Sequence, residues 1–383
     1  MPSHANLAAT DLTANSLKSS TSKASLEASL NVPEGLTDQM LLQMQSWIEH
    51  YGFNDYKARR LSYDQLNPPV LKGTSRNDQV AIENISKFEG ISQANHHQMG
   101  EVIVKWELIA IDRYLSHGRP NPRPSQQGLS QTGLAHECAI LKALAESATG
   151  ISSALLKHYQ QPVRFANRLW QMTIAVLPYY PLGSLKTYLV GSVLSPKQKH
   201  TLLKAAANAI VGLHQAGWGH GDIKPSNFLL ANDSFLSQGK IDYSVLLSDF
   251  SLAGPAESRT VIDNIRGSEL IAPKGTPAYL APECWQGHGI SQQSDSYAFG
   301  VMLFEILMGY KPYQINPQPH DSQNAFAEKW AFQHCQSPLP KLPNPWQRYQ
   351  YLLEGLLAKH PNNRIDSAQV MIELNRLGTV NPI

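Results

Sequence analysis

Apolar positions along the chain fall into two rhythms, one of period 3.6 and one of short runs. From Thr37, the residues Met40, Leu41, Met44, Trp47, Ile48 and Tyr51 recur at helical spacing, with Asp38 in the first turn and Gly52 placed to end it. One amphipathic helix is predicted there, while Arg59 and Arg60 beyond it read as solvated charges. The block from Val80 to Leu108 changes to strand-like runs, of which Val102-Ile103-Val104-Lys105 is an apolar strand ending in a cation. Leu134, Cys138 and Leu141 mark one face of a helix that carries Glu137. Gln171 to Leu177 is a largely apolar strand interrupted by Thr173, and it runs into Pro178-Tyr179-Tyr180-Pro181-Leu182-Gly183-Ser184-Leu185. Ser195 and Pro196 make an N-cap and first-turn pair, and Leu202, Leu203, Ala206, Ile210 and Leu213 form the buried stripe of a long helix. Val245-Leu246-Leu247 is an apolar strand that delivers Asp249.

Two stretches lack either rhythm. Residues 1–34 are rich in Ser, Ala, Thr and Asn with few large apolar side chains, too few to offset the entropy of ordering, and read as a disordered arm. Arg119 to Thr132 is a Pro/Gln/Ser/Gly loop longer than its connection needs. The expected division is an arm at 1–34, a helical extension at 35–79 and one folded domain at 80–378, with lobes of 80–180 and 181–378.

Composition narrows the class. A chain of 383 residues exceeds one average domain, so two lobes or two small domains are expected. The net charge of +2, from 32 basic and 30 acidic residues, gives no basic field for nucleic acid or an anionic membrane. Cys138, Cys284 and Cys335 are few, odd in number and far apart, as expected of reduced thiols in a cytoplasmic protein. There is no apolar run of the roughly 20 residues that span a bilayer, nor an N-terminal apolar core of a secretory signal. Neither nucleic acid nor membrane is therefore an expected partner.

The candidate chemistry centres on His220-Gly221-Asp222-Ile223-Lys224-Pro225-Ser226-Asn227. An acid at Asp222 suits proton acceptance from an attacking hydroxyl, Lys224 suits charge compensation on a phosphoryl group in transit, and Asn227 suits a magnesium ion. With Asn227 five residues beyond Asp222, this stretch resembles the catalytic loop of the eukaryotic-type serine/threonine protein kinase superfamily. Aminoglycoside and choline phosphotransferases carry a similar His-Gly-Asp loop. Four later matches favour the protein kinases: Gly275-Thr276-Pro277-Ala278-Tyr279-Leu280-Ala281-Pro282-Glu283, Ser294-Asp295-Ser296-Tyr297-Ala298-Phe299-Gly300, Gly309-Tyr310-Lys311-Pro312-Tyr313, and Pro361-Asn362-Asn363-Arg364.

The resemblance covers about Val80 to Gly378 and implies an α+β, bilobal kinase-like fold, with a small β-rich N-lobe and a larger, mainly helical C-lobe. It implies ATP and Mg²⁺ as cofactors and transfer of the γ-phosphoryl group to Ser/Thr hydroxyls, with Asp222 as catalytic base and Lys224 beside it. Lys105 is matched to the lysine on the α- and β-phosphates, Glu137 to its partner, and Gly90-Ile91-Ser92-Gln93-Ala94-Asn95 to the glycine-rich loop. Pro178 and Tyr180 are matched to the adenine-binding link, Leu229 to a further ATP-binding residue, and Asn227 and Asp249 to the metal ligands. Asp295 is expected to brace the catalytic loop, Arg364 to pair with Glu283, and Thr276 and Lys224 to favour Ser/Thr acceptors. No motif identifies the protein substrate, and the chain itself is one candidate through autophosphorylation.

The sequence departs from the pattern at three places: one glycine at Gly90, Ser251 in place of the glycine of Asp-Phe-Gly, and Gly221 in place of an arginine. The first two leave open a pseudokinase serving as a binding module, and the third leaves open a small-molecule kinase. Without that arginine, activity is not expected to require phosphate at Ser258, Thr260 or Ser268, although Lys240 or Arg266 is placed to substitute for it. The separation of Asn227 from Asp249 implies an enlarged hairpin around Asn232 to Gly239.

Overall fold

The computed structural model describes residues 36–65, 85–111, 133–147, 150–231, 245–255, 273–318 and 321–379. The expected arm at 1–34, the Arg119–Thr132 loop, the hairpin at Asn232–Gly239 and the positions Lys240, Ser258, Thr260, Arg266 and Ser268 lie outside these residues. Two compact units divide the chain: residues up to 123 with 156–179, and residues 124–155 with 180–383.

The first unit opens with helix α1 (Leu36–His50), followed by strands β1 (Phe53–Gln65), β2 (Ile85–His96) and β3 (Gly100–Ala110). After an excursion into the second unit the chain returns with β4 (Lys157–Phe165) and β5 (Arg168–Pro178). The five strands form one sheet in the order β1-β2-β3-β5-β4, every neighbouring pair antiparallel. Strand side chains alternate between faces, and this alternation divides the sheet by chemistry. Val102, Val104, Trp106, Leu108 and Ala110 of β3, with Met172, Ile174 and Val176 of β5, are buried in one core. Met40, Met44 and Ile48 of α1 are fully buried in that same core. Their i, i+4, i+8 spacing puts them on one stripe of the helix. Full burial contributes about 1.5–3 kcal/mol for each such side chain.

Lys105 belongs to the other face. In register it lies opposite Ile91 and Ala175, and Glu107 lies opposite Glu89 and Thr173. Lys87 bridges the two acids, 2.7 Å from Glu89 and 3.0 Å from Glu107. The same face of the sheet thus holds Lys105 and a compact charge cluster.

Two expectations are corrected here. The extension expected to be helical over 35–79 is helical only through His50, because β1 follows and pairs with β2; the sheet begins before residue 80. Gly90 is not part of a phosphate-binding loop but sits in the middle of β2, opposite Leu61 and Trp106. A Cβ on Gly90 would come within 2.3 Å of the Trp106 ring, so this glycine makes room for an indole. The connection between β1 and β2, residues 66–84, lies outside the described residues. Arg59 is exposed, in keeping with its solvated reading, and from the surface it hydrogen-bonds Gln93 while its guanidinium lies 5.2 Å from the centre of the Tyr179 ring.

The second unit is mainly helical, with α2 (Leu134–Glu146), α3 (Leu185–Gly191), α4 (Pro196–Gln215), α5 (Pro282–Trp285), α6 (Gln292–Met308), α7 (Gln323–Gln336), α8 (Gln350–Leu356) and α9 (Ser367–Thr379). Three short strand pieces, β6 (Trp218–Gly219), β7 (Phe228–Leu230) and β8 (Val245–Leu247), are joined by β9 (Gly254–Pro255); β6 pairs with β9 and β7 with β8. α6 is buried on all sides from Ser294 to Phe304, as expected of an apolar helix at the centre of a domain. Its ends are well defined: Ser291 and Ser294 form a reciprocal cap at the start, and Gly309 at φ +81° ends it. α4 begins at the expected Ser195 cap, with Gln198 answering it, and buries Leu202, Leu203, Ala206, Ile210 and Leu213. Among the described residues no helix is long and apolar enough to cross a membrane.

Candidate active site

The second unit gathers its chemistry around the stretch that follows α4 and β6. Asp295, in the first turn of α6 and only 1% exposed, sets its backbone. Its Oδ2 accepts from the N–H of His220 at 2.7 Å and meets Nε2 of His214 at 3.1 Å; its Oδ1 accepts from the N–H of Gly221 at 2.9 Å. Burial presses this carboxyl toward neutrality, yet the His214 ring and the His220 backbone outweigh it and hold its pKa below the ordinary carboxylate value. Gly221 has φ +78°, and a Cβ there would meet Cδ1 of Ile290 at 2.4 Å. Backbone angle and packing together demand glycine at this position.

His220 is fully buried and its ring serves the same turn. Nδ1 accepts from the N–H of Asp222 at 3.3 Å, and Nε2 lies 3.1 Å from the Ser248 carbonyl, a pair of contacts that suits a proton on Nε2. The Phe250 ring packs 5.1 Å from it, centre to centre.

The Asp222 carboxylate is held by four donors. Oδ1 accepts from the hydroxyl of Thr276 at 2.7 Å and from its N–H at 3.1 Å. Oδ2 accepts from Nζ of Lys224 at 2.6 Å and from the Asn227 amide at 3.2 Å. Lys224 Nζ also donates to the Thr276 hydroxyl oxygen at 2.7 Å. An acid, a cation and an aliphatic hydroxyl thus form a closed triangle. Asn227, 4% exposed, also gives its amide N–H to the Asp222 carbonyl at 2.9 Å, which turns its Oδ1 away from that acid.

Asn227 and Asp249 are linked through the β7–β8 hairpin. The Asn227 carbonyl accepts from both the N–H and the hydroxyl of Ser248, at 2.9 and 3.1 Å. Asp249 follows at φ +66°, a left-handed conformation that is uncommon for a residue with a side chain and collects at functional sites. Ser251 donates its hydroxyl to Asp249 Oδ1 at 3.0 Å. An amide oxygen and a carboxylate are the hard donors that Mg²⁺ takes, so this pair fits the ion. Among the described residues no group of three or more His, Cys, Asp or Glu is placed to hold a metal.

Further on, Glu283 and Arg364 form a buried bidentate pair, with N···O distances of 2.6 and 2.7 Å. Leu229 is half-buried on β7, opposite Leu246. Pro178 is the last residue of β5, opposite Val102, and Tyr180 opens the second unit, its hydroxyl accepting from Ser153 at 3.4 Å. Glu137 is buried in the first turn of α2. Lys105 belongs to the first unit and Glu137 to the second.

Three residues that join this network carried no expectation. His214 is a polar interruption at the end of the apolar stripe of α4, and that placement was its only signal. Ser248 precedes Asp249, where any residue type continues a strand. His136 reaches the Ala253 carbonyl at 2.6 Å, a contact between residues 117 positions apart that periodicity does not register.

A sheet unit and a helical unit, the latter holding an Asp-Lys-Asn loop beside a strand-delivered aspartate, are the parts of a protein-kinase-like fold. The protein kinase domain family matches residues 126–373, and the chain belongs to that family. Similar curated proteins include the serine/threonine-protein kinase PkaB of Streptomyces coelicolor, 30% identical over 48% of this chain and 40% of its own. A probable receptor-like protein kinase of Arabidopsis thaliana is 29% identical over 70% of this chain and 29% of its own. The serine/threonine-protein kinase PknB of Mycobacterium leprae is 30% identical over 46% of this chain and 26% of its own. The chain thus spans well under half the length of each of these relatives. The family match begins at residue 126, so α1, β1, β2 and β3 lie outside it.

Proposed function

We propose that this chain is an ATP-dependent serine/threonine protein kinase with Asp222 as the catalytic base. The observation that carries this reading is the Thr276 hydroxyl, which donates to Asp222 Oδ1 at 2.7 Å while accepting from Lys224 at 2.7 Å. An aliphatic hydroxyl there already makes the contact that an acceptor serine or threonine must make. In the reaction the acceptor oxygen attacks the γ-phosphorus of ATP, its proton passes to Asp222, and the bond to ADP breaks. Lys224 offsets charge on the phosphoryl oxygens, and Asn227 with Asp249 would hold Mg²⁺. The ion supplies electrostatic relief on the phosphates. The phosphate-binding role of Lys105, its pairing with Glu137, and adenine recognition at Pro178, Tyr180 and Leu229 belong to the same proposal and rest on the motif match. The protein substrate, a cytoplasmic location and autophosphorylation are further parts of it.

The test is transfer of labelled phosphate from ATP with Mg²⁺ to a generic basic protein and to the chain itself. Asp222→Asn is expected to lower the rate by about 10³-fold or more, equivalent to roughly 4 kcal/mol in the barrier, in a chain that still folds cooperatively but melts somewhat lower, because the amide faces the same four donors. Full activity in that variant overturns the assignment. A second reading, a pseudokinase binding module, is favoured by the β1–β2 connection, residues 66–84, whose only glycine is Gly73. Absence of both nucleotide binding and transfer in the parent chain selects it.

A further inference from the structure

We propose that Ser251 is a positioning residue for Asp249 and sets how tightly the site takes its divalent ion. The proposal rests on reading Asp249 as a metal-holding acid. Where the family has glycine, a residue with neither side chain nor conformational preference, this chain has a hydroxyl aimed at Asp249 Oδ1 from 3.0 Å. Asp249 occupies a left-handed backbone angle, φ +66°, that an aspartate adopts at an energetic cost, so its orientation needs support from its surroundings.

Ser251 supplies that support from two sides. Its hydroxyl ties the carboxylate, restricting the rotation of the aspartate side chain. Its carbonyl accepts from the N–H of Gly133, the residue that caps α2, at 3.4 Å. Two residues on, the Ala253 carbonyl meets the His136 ring at 2.6 Å. Between these anchors Phe250 is fully buried against the His220 ring. The turn that presents Asp249 is therefore fastened to the start of α2 through its backbone and to the carboxylate through one hydroxyl. With glycine at this position only the backbone half of that joint remains. Ser251 does not touch the reacting atoms; it acts through Asp249.

The experiment titrates Mg²⁺ into the full-length chain with a fluorescent, non-hydrolysable ATP analogue and reads nucleotide binding rather than turnover. Ser251→Ala and Ser251→Gly are expected to raise the half-saturating Mg²⁺ concentration about tenfold, the scale of one hydrogen bond to a charged group. Nucleotide affinity at saturating Mg²⁺ and thermal melting are expected to stay at parent values. Ser251→Thr, which keeps the hydroxyl, is expected to return within about twofold of the parent. Parent-like Mg²⁺ dependence in the alanine and glycine variants overturns the inference, as does a threonine variant that behaves like alanine. Asp249→Asn separates the two readings. If it abolishes the Mg²⁺ dependence while Ser251→Ala does not shift it, the positioning role alone fails; if it leaves the dependence intact, the reading of Asp249 fails and the inference with it.

Discussion

The two units place polar residues differently. In the first, one face of a sheet carries the core and the opposite face carries Lys105 with the Lys87–Glu89–Glu107 cluster, so packing and charge are separated by strand alternation. In the second, buried polar groups run through the core itself: Asp295, His214, His220, Glu283 and Arg364 are each 8% exposed or less. On the polar face of the sheet only Glu107, 3% exposed, is buried, while Lys87 and Glu89, with side chains 25% and 38% exposed, tolerate a charge change because they retain a surface to turn to. A buried network does not, because each member satisfies another in low dielectric.

The contrast is most strongly challenged at Arg364. Replacing it with leucine leaves Glu283 buried without its bidentate partner, and a loss of about 3–5 kcal/mol is expected. Urea unfolding gives the total, and amide hydrogen exchange shows where it falls. Lost protection in α5, α6 and α9 with unchanged protection in α1 and the sheet upholds the difference, whereas an equal loss in both units breaks it.

Asp295 sharpens the comparison through pH. Its folded pKa lies below the usual carboxylate value, so its stabilisation is fully present above the unfolded pKa of about 3.9 and is lost as pH falls through the lower folded value. Asp295→Asn turns an acceptor of three contacts into a group with two N–H donors facing other donors, and about 3 kcal/mol is expected to go at pH 7. The gap between parent and variant is expected to hold from pH 7 to about pH 4 and to close at lower pH. A gap that closes already near pH 6 assigns the stabilisation to a different group.

The smallest effect is expected at Gly90. Alanine there forces the Trp106 ring to move, at a cost of about 1–3 kcal/mol, confined to the first unit and without change in nucleotide affinity. A nucleotide affinity lowered with stability intact restores the phosphate-loop reading of this glycine.

What was legible in the sequence was local. The helix at Met40 to Ile48, the Ser195 cap, the apolar run Val102 to Val104 of β3, which continues past Lys105 to Ala110, and the spacing of Asp222, Lys224 and Asn227 all lie within one element or turn, where residue type and spacing carry the physics. The family was legible for the same reason, since its strongest motifs are short loops pinned to helix ends. Tertiary structure alone decided the rest. Gly90 looked like a loop glycine because glycine suits loops and crowded strands equally; the distinction lies in Trp106, sixteen positions away and brought opposite it by strand register. β1 went unrecognised because Asn54-Asp55-Tyr56-Lys57-Ala58-Arg59-Arg60 has no clean alternation, and its register with β2 slips at Asn54/Lys57 and again at Ala58/Arg60. The need for glycine at 221 depends on Ile290, and the hold on Asp249 depends on a hydroxyl whose direction only the folded turn defines. Spacing along a chain encodes what one element needs; which distant atoms fill the space around it is determined when the elements pack.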